Sequence, residues 1–224
     1  MKLFSTLAVK KAFDDVLLGE FTGRTGIAVD GVYDPTTQLM ARIRAGERPD
    51  VMIAVTSAFD ELNGSAVLDL STKTAIAKTG VGLAVPPGAE LPDVSTLDAF
   101  KRALLDARSV AYSRTGASGI YFARLIEELG IDKEVNARAT VIDKGFIAHA
   151  VVDGRADVAI QQLSELRFVP DARIAGPFPA EVQHYSEFSA VAATAADGDA
   201  AAFLAFLTSD EARRAYEQTG LELP

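Results

Sequence analysis

Apolar residues recur along this chain with two periods. Short continuous or alternating runs predict strands at Leu3 to Thr6, Ile27 to Val32, Pro49 to Val55, Gly80 to Val85, Ser109 to Tyr112, Ala156 to Ile160 and Arg173 to Phe178. Three-and-four spacing predicts helices between them. Val9, Ala12, Phe13, Val16, Leu17 and Phe21 mark one face that stops at Thr25-Gly26, and Leu39, Met40 and Ile43 mark another, entered through Asp34-Pro35-Thr36-Thr37. Leu97 to Leu105, the series Ile120, Ala123, Ile126 and Leu129 up to Gly130, and Phe146 to Val152 read the same way. Phe59 to Leu68 also reads as helix and Val135 to Ile142 as strand, and two helices, Ala200 to Leu207 and Asp210 to Thr219, follow. Strand and helix alternate almost throughout, which predicts an α/β protein with doubly wound sheets.

Two stretches interrupt the alternation. Pro86-Pro87-Gly88 ends one strand hard, and Val182 to Thr194 is long, extended and rich in β-branched and aromatic residues. Together they predict two crossings. The expected lobes are residues 1–84 with 190–224, and residues 85–189, joined by two crossover strands with a ligand cleft between them.

Composition narrows the chemistry. The 224 residues are 49% hydrophobic and 24% charged, enough for two modest cores, and the formal net charge is -9. Nucleic acid, which demands a basic face, is excluded as a partner. Cysteine is absent and only His149 and His184 could supply imidazole, so neither a metal nor a cofactor is expected. Every apolar run is too short to insert in a membrane. Met1-Lys2 passes directly into a strand-like run, so the location reads as periplasmic if an export signal has been removed and cytoplasmic otherwise.

The stretch Tyr112-Ser113-Arg114-Thr115-Gly116-Ala117-Ser118-Gly119 joins a strand to a helix through hydroxyls, glycines and one guanidinium. A helix N-terminus there turns unpaired N–H groups and the positive end of its dipole toward one spot, which suits an anion. In doubly wound sheets such loops gather at the carboxyl ends of the strands. Ser5-Thr6-Leu7-Ala8, Asp34-Pro35-Thr36-Thr37, Asp143-Lys144-Gly145 and Gln161-Gln162 occupy equivalent places. Thr6, Leu7, Ala8, Thr36, Thr37, Ser113, Arg114, Ser118, Lys144 and Gln161 are therefore the candidate ligand contacts. Arg114 brings a planar fork for a carboxylate or phosphate and Lys144 a point charge. Each also has a plainer reading. Thr36 and Thr37 can cap a helix, Arg114 and Lys144 can be solvated surface charges, His149 can be a packed or rim histidine, and Asp30, Asp34 and Asp143 can serve turns.

The order of Leu3-Phe4-Ser5-Thr6-Leu7-Ala8, then Thr36-Thr37-Gln38-Leu39 leading to Ala45-Gly46-Glu47-Arg48-Pro49-Asp50-Val51, then Ala117-Ser118-Gly119-Ile120-Tyr121, resembles the periplasmic molybdate-binding proteins. The resemblance runs over nearly the whole chain. It implies a type II periplasmic-binding fold that closes on a small anionic ligand, and an ABC permease as partner if the protein is exported. Three positions depart from that family. Ala8 stands where a serine is usual, Gln161 where a tyrosine is usual, and Lys144 where the residue is ordinarily apolar, which shifts the expected ligand from molybdate to a di- or tricarboxylate. A branch of the same fold resembles aconitate isomerases, which move a proton across an allylic tricarboxylate without a cofactor. If this chain follows that branch, Lys144, Arg114, Tyr112 and His149 are the candidate catalytic residues, with Asp34 a further proton carrier.

Overall fold

A computed structural model describes residues 1–62 and 66–224. The chain forms two units, Met1–Lys78 with Ser186–Pro224, and Thr79–Tyr185. The divisions fall inside two long strands, at Lys78/Thr79 and Tyr185/Ser186, a few residues before the expected 84/85 and 189/190.

In the first unit β1 (Lys2–Ser5) lies between β2 (Asp30–Tyr33) and β3 (Val51–Val55), parallel to both. β9 (Tyr185–Ala192) returns antiparallel against β3. Side chains alternate across the sheet with the strand period of two. Leu3, Val51 and Ile53 enter a core with Ala12, Phe13, Leu17 and Phe21 of the first helical segment and Phe203 and Leu207 of Gly198–Leu207. Phe4, Met52 and Ala54 enter the opposite core with Leu39, Met40 and Ile43 of the Thr36–Arg44 helix. The apolar spacing read from the sequence is thus the buried face of each helix. Phe21 and Phe203 meet edge to face at 4.8 Å. Gly26, at φ 72°, closes the first helix in a left-handed turn that favours glycine.

In the second unit β5 (Val110–Ser113) is parallel to both β6 (Thr140–Ile142) and β7 (Val158–Gln162). β7 pairs antiparallel with β4 (Thr74–Val85), which also pairs with β8 (Arg173–Pro177). Val110, Tyr112, Val158 and Ile160 face a core holding Phe100, Leu104, Phe122 and Phe178. Ala111 and Ala159 face the other, holding Ile147, Val151, Leu166 and Val169. Gln183 adds a side-chain strand pairing: its Oε1 accepts from the Val81 N–H at 2.9 Å and its Nε2 donates to the Val81 carbonyl at 3.0 Å.

Three elements differ from the sequence expectation. Residues 135–142 are not one strand: Asp132–Asn136 is a short helix that buries Val135 completely, and only Thr140–Ile142 is extended. The acidic start Asp132-Lys133-Glu134 favours the first turn of a helix and outweighs the β-branched residues that follow. The expected helix at Phe59 to Leu68 is a tighter 3-10 segment, Thr56–Leu62, and its remainder includes residues 63–65, outside the described residues. β4 begins at Thr74, six residues before the expected Gly80, because Ile76 and Ala77 are buried in the first unit's core.

Candidate functional site

In the second unit β5, β6 and β7 are parallel, so the loops after Ser113, Ile142 and Gln162 share one edge. The first of these loops is wound around Ser113. Its hydroxyl accepts from the N–H groups of Gly116 at 2.9 Å and Thr115 at 3.3 Å, and it is buried. The Ala117–Glu128 helix then begins directly against the strand end. A Cβ at Gly119 would stand 1.9 Å from the Ser113 carbonyl oxygen, so only glycine fits the approach. No side chain caps the N-terminus at Gly116, leaving the first-turn N–H groups directed out of the helix, with Ser118 buried beside them.

Arg114 and the Asp143 loop are tied together. The Arg114 N–H donates to the Ile142 carbonyl at 2.8 Å, its Nε donates to Asp143 Oδ1 at 3.1 Å, and the Thr115 hydroxyl donates to the Asp143 carbonyl. Both charged side chains are exposed, and the pairing engages Nε, leaving the terminal amino groups of the fork. Lys144 is exposed at the tip of the same loop, which turns at Gly145 with φ 104°.

Gln161 faces this loop from below. Its Oε1 accepts from the Ile147 N–H at 2.7 Å and its Nε2 donates to the Gly145 carbonyl at 2.9 Å. The amide that reads from sequence as a ligand contact is a bracket holding the Lys144 loop. Glu165, which the sequence reading passes over, adds a third partner to the bracket. Its carboxyl hydrogen-bonds the Gln161 side chain and the Gln162 backbone, and burial pushes its pKa up to about 8. The pattern of a glutamate three residues after the helix-entry residue is the signal that could have found it.

The remaining sequence candidates of this unit separate. Tyr112 belongs to the core: its ring meets Phe122 edge to face at 5.2 Å, its hydroxyl donates to Asn136 at 2.7 Å, and burial raises its pKa. His149 is exposed at the start of the His149–Val152 helix. A cavity of about 630 Å³ lined by Pro92, Ser95, Gly176 and Tyr185 contains none of the candidate residues.

In the first unit the parallel strands β1, β2 and β3 bring another set of loops to one edge. Thr6 is buried there, its N–H donating to the Ile53 carbonyl at 3.0 Å, and its hydroxyl does not cap the turn that follows. Leu7 and Ala8 are buried within that turn. The Thr36 hydroxyl accepts from the Val55 N–H at 3.2 Å and so pins the end of β3, while Thr37 is exposed beside it. Thr56 and Ser189 join their hydroxyls at 2.9 Å, a pair that sequence spacing of 133 residues conceals. Asp34, 3% exposed, accepts a hydrogen bond from Arg42 Nε at 3.0 Å and lies 2.9 Å from Nη2 in an ion pair. That carboxylate is committed to an ion pair within its own loop and helix.

Comparison with known proteins agrees with this architecture. The model for the bacterial extracellular solute-binding protein family matches residues 1–222. An aconitate isomerase from Pseudomonas sp is 34% identical over 206 residues, covering 88% of this chain and 78% of that protein. The periplasmic molybdate-binding protein of Azotobacter vinelandii superposes with a TM-score of 0.83 at 19% identity, covering 100% of this chain and 99% of that one. Peb3 from Campylobacter jejuni superposes with a TM-score of 0.73 at 14% identity, with all of both chains covered. The structural likenesses carry the fold, that of the type II periplasmic binding proteins. Among the described residues no helix is long and apolar enough to cross a membrane.

Proposed function

This chain belongs to the bacterial extracellular solute-binding protein family, and from that premise we propose that it binds a tricarboxylate of the aconitate type and interconverts its isomers. The observation that carries the reading is the 34% identity to an aconitate isomerase over most of both chains. The loop edge of the second unit supports it. Arg114 offers a carboxylate fork, Lys144 a point charge, and the uncapped Ala117–Glu128 helix its N–H groups. A tetrahedral oxyanion held by neutral donors would not require two cations at the ligand edge.

The reaction needs no redox partner. A base removes a proton from the methylene carbon, that C–H electron pair becomes the new double bond, and the old double bond's pair takes a proton at the far carbon. The charge that develops is delocalised onto a carboxylate, where Arg114 would hold it. Of the candidate proton carriers, Lys144 and, on the helix that follows its loop, His149 are exposed, whereas the Tyr112 hydroxyl is engaged by Asn136. Lys144 and His149 are therefore the proton carriers we favour, with Arg114 the carboxylate anchor.

Incubation with cis- or trans-aconitate, followed by chromatography of the other isomer, tests this directly. Conversion should fall about a hundredfold in Lys144→Ala or Arg114→Ala, with thermal midpoints unchanged. A protein that gains thermal stability with aconitate or citrate and never converts it would support the second reading, capture of a carboxylate for an ABC permease, which the family match favours. Stabilisation by molybdate or tungstate alone would sink both carboxylate readings.

A further inference from the structure

β7 ends in Gln161 and Gln162, and the chain turns at once into the four-residue helix Leu163–Leu166. The polar residues of this stretch are turned inward: Gln161, Gln162, Ser164 and Glu165 are all buried. Glu165 reaches back to the Gln162 backbone N–H, the reciprocal half of a capping box. A cap alone would leave the carboxyl at the surface, where most capping glutamates sit. Here it also meets the Gln161 amide, whose other two bonds fix Ile147 and Gly145 on either side of the Lys144 turn.

We propose that Glu165 is a positioning residue for the anion-binding edge: acting through the Gln161 amide, it fixes the Gly145–Ile147 backbone and so the direction in which Lys144 leaves the loop. The proposal rests on the functional reading of that edge given above. A side-chain amide has one oxygen and one NH₂ group, and each is assigned. Oε1 receives Ile147, and Nε2 serves Gly145 together with the Glu165 carboxyl.

The same burial makes the bracket sensitive to pH. Glu165 is pushed from an ordinary 4.5 up to about 8, and the leading cause is desolvation and not a charged neighbour. The charged and titratable groups on the surrounding segments are Arg167 on its own turn, Asp143 and Lys144 in the bracketed loop, His149 beyond it, Asp171 and Arg173 toward β8, and Tyr112 on β5. All but Tyr112 are exposed, and the Tyr112 hydroxyl is turned to Asn136. The sign follows from the raised value. The contribution of Glu165 to stability is complete below pH 4.5 and is lost as pH rises to about 8. Above that, a buried negative charge with only two N–H donors among the described residues to balance it lies beneath a loop meant to hold an anion.

The test follows the Ile147 amide and the Gln161 side-chain NH₂ by ¹H–¹⁵N spectroscopy across this range, in the wild-type chain and in Glu165→Gln. The affinity for cis-aconitate and citrate is measured at the same pH values. Both signals should inflect together near pH 8 in the wild type, with affinity falling about tenfold, and Glu165→Gln should show neither change. Flat signals in the wild type, or an identical titration in Glu165→Gln, would overturn the proposal. Titrating signals with a level affinity would overturn it as well. If neither anion binds at any pH, the functional reading fails, and the two signals alone decide whether Glu165 positions the loop.

Discussion

The loop edges of the two units are built from the same strand–loop–helix grammar and reach opposite electrostatic characters. The first unit's edge is neutral where it is polar. Thr6, Thr36, Thr56 and Ser189 supply hydroxyls, and the one buried carboxylate, Asp34, is cancelled by Arg42. The second unit's edge keeps charges at its surface, Arg114, Asp143 and Lys144, and hides beneath them an amide and a carboxyl, Gln161 and Glu165. The difference bears on where specificity would reside. If these edges hold an anion as proposed, neutral hydroxyls would accept any small oxyanion, whereas a fork and an ammonium on a braced loop would select for carboxylate number and spacing.

Substitutions can break or sharpen that contrast. Gly119→Ala should have the largest effect, since its Cβ would overlap the Ser113 carbonyl. A loss of about 3 kcal/mol is expected in urea unfolding, and an unchanged midpoint would show that the helix can slide off the strand end. Gln161→Leu should come next, at about 2 kcal/mol, because it strands the buried Ile147 N–H. It should also weaken anion binding, separating a bracket from a direct contact only if Lys144 is retained in both proteins compared.

In the first unit Thr36→Val removes a single acceptor from Val55. The expected cost is about 1 kcal/mol, read as a small shift in thermal midpoint. The smallest change belongs to Asp143→Asn. Its partner Arg114 is well exposed, so stability should move by less than about 0.5 kcal/mol. Carboxylate affinity should rise, because the Arg114 fork loses its competing anion. If affinity drops instead, Asp143 orients Arg114 more than it competes with ligand.

Much of the fold was legible before any coordinates. The alternation in Leu3-Phe4 and Val51-Met52-Ile53-Ala54 is the alternation between two cores, and the series from Val9 to Phe21 is the face packed on Phe203. Where the reading slipped, at Val135 an acidic helix start outweighed the β-branched residues, and at the start of β4 the deciding contacts of Ile76 and Ala77 came from elements distant in sequence. The candidate site was legible as a set of loops, because strand ends followed by Ser, Thr and Gly mark the carboxyl edge of a parallel sheet. Its internal wiring was not. Sequence offers Gln161 and Asp34 as polar groups near a site, and only packing shows that one brackets a backbone turn and the other neutralises Arg42.

By itself, then, the sequence determined the α/β alternation, the acidic and cysteine-free chemistry, and the loops at which an anion could be held. These depend on local periodicity and residue type, which the chain carries from neighbour to neighbour. The tertiary structure decided which polar side chains remain available to a ligand. It also decided that Glu165 would lose its water and hold its proton, because desolvation depends on what other segments bring against a group.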